Sequence, residues 1–366
     1  MLIFYLVVDL DFLYAYDKML HMKFLNKIFF VFFICCCVFS CKSTDPSSLL
    51  TPVMGETDTV LMSDMMPVAL KAVEIVHYAS PKNKSIHALT ASLYVMYANA
   101  FVQHKADMMD ISEFELQYSE KMRAKMHYLR GRDYSLSYFD RKYKNFSKNL
   151  LSRDPELEQK ALSKLKKKDV AAAYWLGAAC LGAFSLDPLD VDMLSGVGSA
   201  LAVLERAAEL DPSYNNGAIW DVLVAFYAGA PSEFGGNVDK AVESFLKEVE
   251  YSNGKTTSLY MTYAQVFCKN NIDLSSYKWD CSVSIDDLGW KFPEIPKDEF
   301  LESIGMGQNE NSLWPMPTGV YGFDWALDVV LNMDVNEDPN SRFMTVLAQD
   351  KAKFLKEHRE DYFIIW

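Results

Sequence analysis

The chain has 366 residues, half of which are hydrophobic, and its formal net charge is −13. A chain of this length can bury a large core on folding. Its acidic balance disfavours nucleic acid and anionic lipid as partners, because both repel a negatively charged surface. The net charge is the same without residues 1–40, since that part holds three acidic and three basic residues.

An apolar run near the N-terminus predicts export. Residues 28–39 are twelve hydrophobic residues without a charge, and Lys23 and Lys27 precede them. A basic start followed by a short apolar segment is the layout of a secretory signal. Twelve helical residues span roughly 18 Å, which is too short for the hydrocarbon core of about 30 Å. The run leads into a segment that resembles the lipobox of bacterial lipoproteins, Val38-Phe39-Ser40-Cys41.

The lipobox resemblance implies a lipid-anchored protein. Residues 22–40 are then the signal peptide, Cys41 becomes the acylated N-terminus, and residues 41–59 form a polar tether. Two acyl chains give a stable membrane anchor. The alternative interpretation is an uncleaved apolar tail with incidental cysteines.

Residues 1–21 do not fit the leading part of a signal, which should be basic. They carry three acidic residues, Asp9, Asp11 and Asp17. We therefore interpret Met22 as the true start and residues 1–21 as an extension from a mis-assigned initiation codon.

Three cysteines remain after the signal and the acylation site, namely Cys180, Cys268 and Cys281. An odd number argues against a disulfide framework. Cys268 and Cys281 are close enough in sequence to form one bridge, and buried unreactive thiols are the alternative for all three. No segment after residue 41 is expected to be long and apolar enough to cross a membrane.

Periodicity predicts an all-α fold for residues 60–366. Hydrophobic residues recur at three- and four-residue steps over most of residues 60–270, the spacing of a buried helix face. Four Asp-Pro pairs are expected at helix boundaries, because proline lacks an amide proton and restricts its predecessor. They begin at Asp154, Asp187, Asp211 and Asp338.

Degenerate helical repeats are visible within this region. Ala200, Leu204, Ala207 and Pro212 have the spacing of the second helix of a tetratricopeptide repeat, in which small residues let two helices approach. The first helix of that unit carries Leu-Gly at 176–177. A second unit covers residues 217–251, with Ala241 and Phe245 in the pattern but Glu248 where alanine is expected. Residues 275–320 interrupt the repeats. We expect them to form a long insertion that is packed through its tryptophans.

Six segments together resemble the TatT component family of TRAP-type transporters, which are helical periplasmic proteins with cryptic tetratricopeptide repeats. Their order and spacing carry the resemblance, and two departures are the insertion and Glu248. The segments are 63–74, 123–136, 169–179, 204–212, 234–251 and 347–352, of which Asp169-Val170-Ala171-Ala172-Ala173-Tyr174-Trp175-Leu176-Gly177-Ala178-Ala179 is the most distinctive.

The resemblance implies an accessory role in transport. A TRAP system takes up small organic molecules through a soluble substrate-binding protein and a membrane permease. We expect this chain to bind that substrate-binding protein, to form a homo-oligomer, and to hold a small organic or hydrophobic ligand. The alternative is a helical nutrient-binding or assembly-scaffold lipoprotein of another envelope system.

The sequence predicts a protein that binds partners or ligands and catalyses no reaction. We find no motif for catalytic residues, for metal ligands or for a cofactor, and we predict none of the three. Aromatic side chains on the repeat helices are candidates for lining a ligand or partner surface, although helix packing explains them as well. They are Tyr94, Tyr97, Trp175, Trp220, Phe226 and Tyr227.

Overall fold

The computed structural model describes residues 51–288 and 314–363. The chain divides into two compact units, residues 1–49 and Leu50–Trp366, and the first lies outside the described residues. The predicted signal peptide, Cys41 and most of the predicted tether therefore also lie outside them, as does Trp290 of the insertion.

The all-α class predicted from the sequence is confirmed, since the described residues contain helices and no strand. The main helices are α1 (Thr59–Ala79), α2 (Lys84–Tyr97), α3 (Phe114–Lys142), α4 (Pro155–Leu162), α5 (Val170–Leu186), α6 (Val191–Leu210), α7 (Ala218–Gly229), α8 (Val238–Ser252), α9 (Thr257–Thr262), α10 (Gly319–Asn332) and α11 (Arg342–Glu357). Short helices lie at Thr51–Met54, His104–Asp107 and Phe146–Leu150, and π-helical turns extend α2 over Ala98–Gln103 and α9 over Tyr263–Cys268.

Side-chain caps and proline explain where the helices begin and end. Asp58, Asp154 and Asp190 each accept hydrogen bonds from the first backbone N–H groups of α1, α4 and α6, which helix geometry leaves unsatisfied. The Asp-Pro pairs lie at boundaries as predicted: α5 ends at Leu186 and α6 ends at Leu210.

Helices that are near in sequence pack against each other, most of them as consecutive pairs. The contacts join α1 with α2, α2 with α3, α3 with α5, α5 with α6, and α7 with α8. The α5–α6 crossing depends on Gly177, because a Cβ there would lie 2.3 Å from Cγ of Leu204. Ala200 and Ala207 of α6 are also buried. The small residues that predicted a close helix crossing therefore lie at one.

The two ends of the described chain meet. Helix α11 packs on α10 and also contacts α1 and the short helix Thr51–Met54. Phe343 of α11 stacks on Phe101, with ring centroids 5.4 Å apart, and Lys351 forms an ion pair with Asp107 at 3.0 Å. The segment predicted as a tether up to residue 59 thus already contains a helical turn in contact with the fold.

The described ends of the insertion pack through aromatic side chains. Trp314 is fully buried, and its ring lies 5.2 Å from that of Trp279 and 5.9 Å from that of Phe245 on α8. The hydroxyl of Tyr263 donates to the carbonyl of Pro317 at 3.0 Å. These contacts fix both ends of the insertion to α8 and to the π turn after α9.

One expectation about membrane spans needs correction. Among the described residues, Lys167–Leu186 is long and apolar enough to cross a membrane, whereas no such segment was expected after residue 41. This stretch contains α5, which packs against both α3 and α6. More than half of its most apolar part is buried inside the fold. Its high hydropathy is explained by the packing of α5 between two other helices.

Candidate functional site

Two of the six predicted lining residues belong to an aromatic and charged cluster between α1, α2 and α3. Tyr94 is buried, and its hydroxyl donates to Oε1 of Glu74 at 2.9 Å. Tyr97 is also buried, and its hydroxyl accepts from Arg123 at 2.7 Å. Both rings lie within 6 Å of the His127 ring. The two tyrosines therefore connect three helices.

Glu74 is the centre of this cluster and is well supplied with donors. Lys71, Tyr94 and Tyr134 all donate to its carboxylate. Burial raises the pKa of Glu74, but these hydrogen bonds outweigh burial and leave the pKa below its usual value. For the nearby His127, burial and then the charges of Arg130 and Arg123 lower the pKa to about 4. The histidine is neutral at pH 7.

The other four predicted lining residues lie along α5 and α7 and do not form one group. Phe226 and Tyr227 are buried, and Phe226 packs against Phe184 at 5.8 Å. Trp175 and Trp220 keep part of their surface accessible. The indole N–H of Trp220 donates to the carbonyl of Pro212 at 2.8 Å. The two tryptophans are the members of the set with surface left for a ligand or partner.

A buried carboxylate at the start of α5 is fully satisfied. Asp169 has no exposed surface and accepts hydrogen bonds from Lys142, from the Tyr143 hydroxyl at 2.6 Å, and from the backbone N–H of Lys166 at 3.0 Å. Burial raises the pKa of Asp169, but the bonds from Lys142, Tyr143 and Lys166 outweigh it and hold the pKa below its usual value. This ion pair ties the end of α3 to the start of α5.

Among the described residues, two further carboxyl groups accept no hydrogen bond from a lysine or from a backbone N–H. Glu248 of α8 is 1% exposed; its Oε1 accepts from the Ser258 hydroxyl at 3.2 Å, and its Oε2 has no hydrogen-bond partner. Asp221 of α7 accepts from the Thr262 hydroxyl at 2.5 Å. No ion pair reaches either carboxyl group from the described part of the chain. We call Asp221 and Glu248 the acidic pair.

The environment of the acidic pair shifts both groups towards the neutral acid. Burial, and then the neighbouring charge of Asp221, raises the pKa of Glu248 well above its usual value. Burial raises the pKa of Asp221 to about 6, and the hydrogen bond from Thr262 lowers it only in part. The two carboxyl groups therefore repel each other and lack a cation.

Hydroxyl groups and aromatic rings lie near the acidic pair. Asp221 and Tyr174 are half-buried, and burial, followed by the nearby charge of Asp221, raises the pKa of Tyr174. Ser258 and Thr262, one turn apart on α9, are also partly accessible. The ring of Tyr174 lies 4.9 Å from Trp175 and 5.5 Å from Tyr214. Four helices, α5, α7, α8 and α9, thus contribute side chains to this cluster.

Part of this site was visible in the sequence. Glu248 stood out because the repeat pattern calls for alanine there, but nothing in the pattern pointed to Asp221 or to the hydroxyl groups on α9. The predicted aromatic set includes Trp175, which adjoins Tyr174, and Trp220, the chain neighbour of Asp221. Helix packing brings these residues together from distant positions, as it does for Asp221 and Thr262, which are 41 residues apart.

The cysteines and histidines offer no other reactive centre in the described residues. Cys180, Cys268 and Cys281 are free thiols, so the possible bridge between Cys268 and Cys281 is not formed. Burial raises the pKa of Cys180 to about 12, which leaves it a thiol at pH 7. Residues 51–288 and 314–363 contain no group of three or more His, Cys, Asp or Glu side chains placed to hold a metal ion.

Helix α1 presents an unusual surface. Large apolar side chains recur along its outer side and are exposed: Val60, Leu61, Met65, Val68, Ile75 and Tyr78. A group of exposed apolar side chains on one helix marks a contact surface more often than scattered single residues do. We call it the α1 apolar face.

Comparison with known proteins identifies the family. The chain is 32% identical over 309 residues to an uncharacterized protein of Treponema pallidum (strain Nichols), covering 84% of this chain and 81% of that protein. The family model described as TRAP transporter T-component matches residues 55–280 and 319–363. The matched residues include every helix from α1 to α11, and the gap between the two ranges corresponds to the insertion. The chain belongs to the TRAP transporter T-component family.

Proposed function

We propose that the chain is the membrane-tethered periplasmic accessory component of a TRAP-type secondary transporter, which binds the soluble substrate-binding protein and a small organic ligand. The observation that carries the proposal is the family match across nearly all of the described fold. Stacked helical hairpins support such a role, because they offer large surfaces for partners without needing a catalytic centre. In this role the chain catalyses no reaction of its own.

Capture of the partner tests this function. The full-length tagged chain, solubilised from membranes of its own host, is expected to co-purify with a soluble substrate-binding protein. Recovery of an outer-membrane barrel protein in its place would contradict the proposal and favour a nutrient-binding or assembly-scaffold lipoprotein. The matched control is the same host carrying the tag on an unrelated lipoprotein.

The membrane tether is proposed to be an acyl anchor on Cys41. The apolar run before it is too short to span a bilayer, and the residues after it are polar. In cells given a radiolabelled fatty acid, the wild-type chain is expected to take up label and Cys41→Ser is not. Cys35→Ser is the matched control, since it removes a cysteine of the same segment and should keep the label. Equal labelling of both variants would refute the anchor site.

We propose that the α1 apolar face contacts a second copy of the chain. Two copies with a net charge of −13 repel each other over most of their surfaces. Helix α1 carries only one basic and two acidic residues, and the ion pair between Lys71 and Glu74 reduces its charge further. An apolar, nearly neutral face is therefore where two copies can meet at low electrostatic cost.

Sedimentation of the full-length chain tests this contact. Changing Leu61, Val68 and Ile75 together to serine is expected to lower the oligomeric state. The control changes Leu189, just before α6, and Val191, the first residue of α6, to serine; both are at least as exposed as the α1 residues, and this variant should leave the oligomer intact. An unchanged oligomer in the α1 variant would assign self-association to another surface.

A further inference from the structure

The connection between α3 and α5 has the opposite charge to the rest of the chain. Residues 143–168 contain eight basic and three acidic residues, a net charge of +5, so the rest of the chain carries −18. Six of the basic residues are exposed and form no ion pair with any described residue. We call these six the basic patch: Lys144, Lys148, Arg153, Lys160, Lys166 and Lys168.

Contacts within this connection hold the patch residues close to each other. The short helix Phe146–Leu150 packs on both α3 and α4. The ammonium group of Lys164, after α4, donates to the backbone carbonyl of Lys144 at 2.9 Å. The backbone N–H of Lys166 donates to Asp169 at the start of α5. The beginning and the end of the connection are therefore held together on one side of the fold.

Helix electrostatics does not explain the patch. Cations are favoured at the C-terminal end of a helix and disfavoured at its N-terminal end, because the peptide dipoles add along the axis. Lys160, in the last turn of α4, is favoured in this way, but Lys166 and Lys168 lie just before α5. Arg153 has a φ of +60°, a left-handed conformation that favours glycine or asparagine. The fold alone therefore gives no reason for a cation at three of the six positions.

The surroundings of the patch suit a large partner. The groove beside it is open to solvent, and its lining includes Leu136, Arg141 and Ser147. Leu151, in the same connection, is a large apolar residue that is 50% exposed. Interfaces between proteins combine apolar side chains with a polar rim. Leu151 and the basic patch together therefore have the composition of a contact surface for another protein.

The charge balance favours a separate acidic protein over lipid or a second copy. The residues outside 143–168 carry −18, so an anionic bilayer that approaches the patch is also repelled by them. Two copies of the chain, each with a net charge of −13, repel each other as well. A protein with one acidic face can contact the patch alone, and complementary charges then steer the encounter and fix its orientation.

We infer that the basic patch is the surface on which the soluble substrate-binding protein docks, through a face of that protein that is rich in Asp and Glu. The ammonium groups of the lysines and the guanidinium of Arg153 donate to carboxylates of the partner, and Leu151 adds an apolar contact. The inference rests on the proposed function, and it adds where the two proteins meet and the chemistry of the partner's face.

Capture by a charge-reversed variant tests the inference. The full-length tagged chain is solubilised from membranes of its own host, and the captured substrate-binding protein is identified by mass spectrometry. The patch variant combines Lys148→Glu, Lys160→Glu and Lys168→Glu, and we expect it to capture at least tenfold less of that protein than the wild type does. Wild-type capture should also fall in 0.5 M NaCl, because salt screens exposed charges.

The control variant combines Lys105→Glu, Lys278→Glu and Lys353→Glu. It makes the same change of net charge at exposed lysines that form no ion pair among the described residues, and it should capture as much partner as the wild type does. Circular dichroism verifies the helical content of both variants. Lys168→Glu places an acid just before α5, where the helix dipole favours it, so lost stability at that position does not explain a loss of capture.

Carbodiimide coupling of the wild-type complex locates the contact, because it joins a lysine to a carboxylate that touches it. Links from patch lysines to Asp or Glu of the partner are expected. Full capture by the patch variant, or links only from lysines outside the patch, would overturn the inference and leave the proposed function standing.

Two further measurements would then reassign the patch. A lower oligomeric state of the patch variant would assign it to contact between copies, and weaker binding to phosphatidylglycerol vesicles would assign it to lipid. If the wild type captures no substrate-binding protein, the proposed function itself is contradicted, and the inference that rests on it fails too.

Discussion

Two buried carboxyl groups in this fold have opposite surroundings. Asp169, at the start of α5, is fully buried and receives a lysine, a tyrosine hydroxyl and a backbone N–H. Glu248, in α8, is equally buried but receives one serine hydroxyl. The pKa of Asp169 lies below its usual value and that of Glu248 lies well above. Neither side chain is accessible to solvent; the donors lower the pKa of Asp169, whereas burial and then the charge of Asp221 raise the pKa of Glu248.

The difference follows from where each residue lies. Asp169 ends the 3-10 turn Lys167–Asp169, and its side chain reaches back to the backbone N–H of Lys166, as in a capping box. The end of α3 brings Lys142 and Tyr143 to it. Glu248 lies within α8, where the backbone is already paired, and its neighbours on α7 and α9 are an acid and two hydroxyl-bearing residues. The first arrangement stabilises a buried carboxylate, and the second favours the neutral acid.

Lys142→Met should produce the largest loss of stability. It leaves the ionised Asp169 buried without its cation, and removing one partner of a buried ion pair costs about 3–5 kcal/mol. Urea unfolding monitored by circular dichroism measures the change. Lys144→Met is the control, since the Lys144 side chain is exposed and forms no ion pair among the described residues. Equal effects of the two substitutions would show that the pair at Asp169 contributes nothing.

Asp221→Asn should change the pH dependence of stability in a defined direction. The pKa of Asp221 is raised to about 6 in the fold, above an unfolded value of about 4. A raised folded pKa adds stability below pH 4, and that contribution is lost as pH rises through 6. The difference in unfolding free energy, wild type minus variant, should therefore fall by up to roughly 3 kcal/mol between pH 4 and pH 7.

The prediction uses the difference in unfolding free energy between wild type and variant, because other groups change the stability with pH in the opposite direction. Burial lowers the pKa values of His104 and His127 to about 4, so their contribution to stability is lost as pH falls. These histidines are common to wild type and variant, and their effect cancels in the subtraction. A difference that stayed constant from pH 4 to pH 7 would mean that Asp221 titrates normally.

Much of the fold was predictable from local sequence, and the acidic pair was not. Asp154 and Pro155 predicted the start of α4, and the small residues around Leu204 predicted the close crossing with Gly177, because capping and close packing act between near neighbours. The acidic pair depends on Asp221 and Glu248 meeting through α7 and α8, and on hydroxyl groups from α9. No local pattern records such a meeting, and only the missing alanine at position 248 indicated it.

The smallest effect is expected at a carboxylate that has the same kinds of donor as Asp169 but lies at the surface. Glu205 accepts from the Tyr227 hydroxyl at 2.7 Å and from Lys240 at 2.8 Å, and the lysine and glutamate side chains are 51% and 43% exposed. Exposed ion pairs contribute only about 0–1 kcal/mol, because water solvates both charges.

Lys240→Met should therefore lower the unfolding free energy by less than about 1 kcal/mol, and the loss should shrink further in 0.5 M NaCl, where exposed charges are screened. Urea unfolding at low and high salt, beside Lys142→Met, measures both effects. A loss as large as that of Lys142→Met would mean that the lysine and tyrosine donors, and not burial, determine how much each ion pair contributes to the unfolding free energy. A small, salt-sensitive loss would assign the difference to water, which can replace a missing donor at Glu205 and cannot reach Asp169.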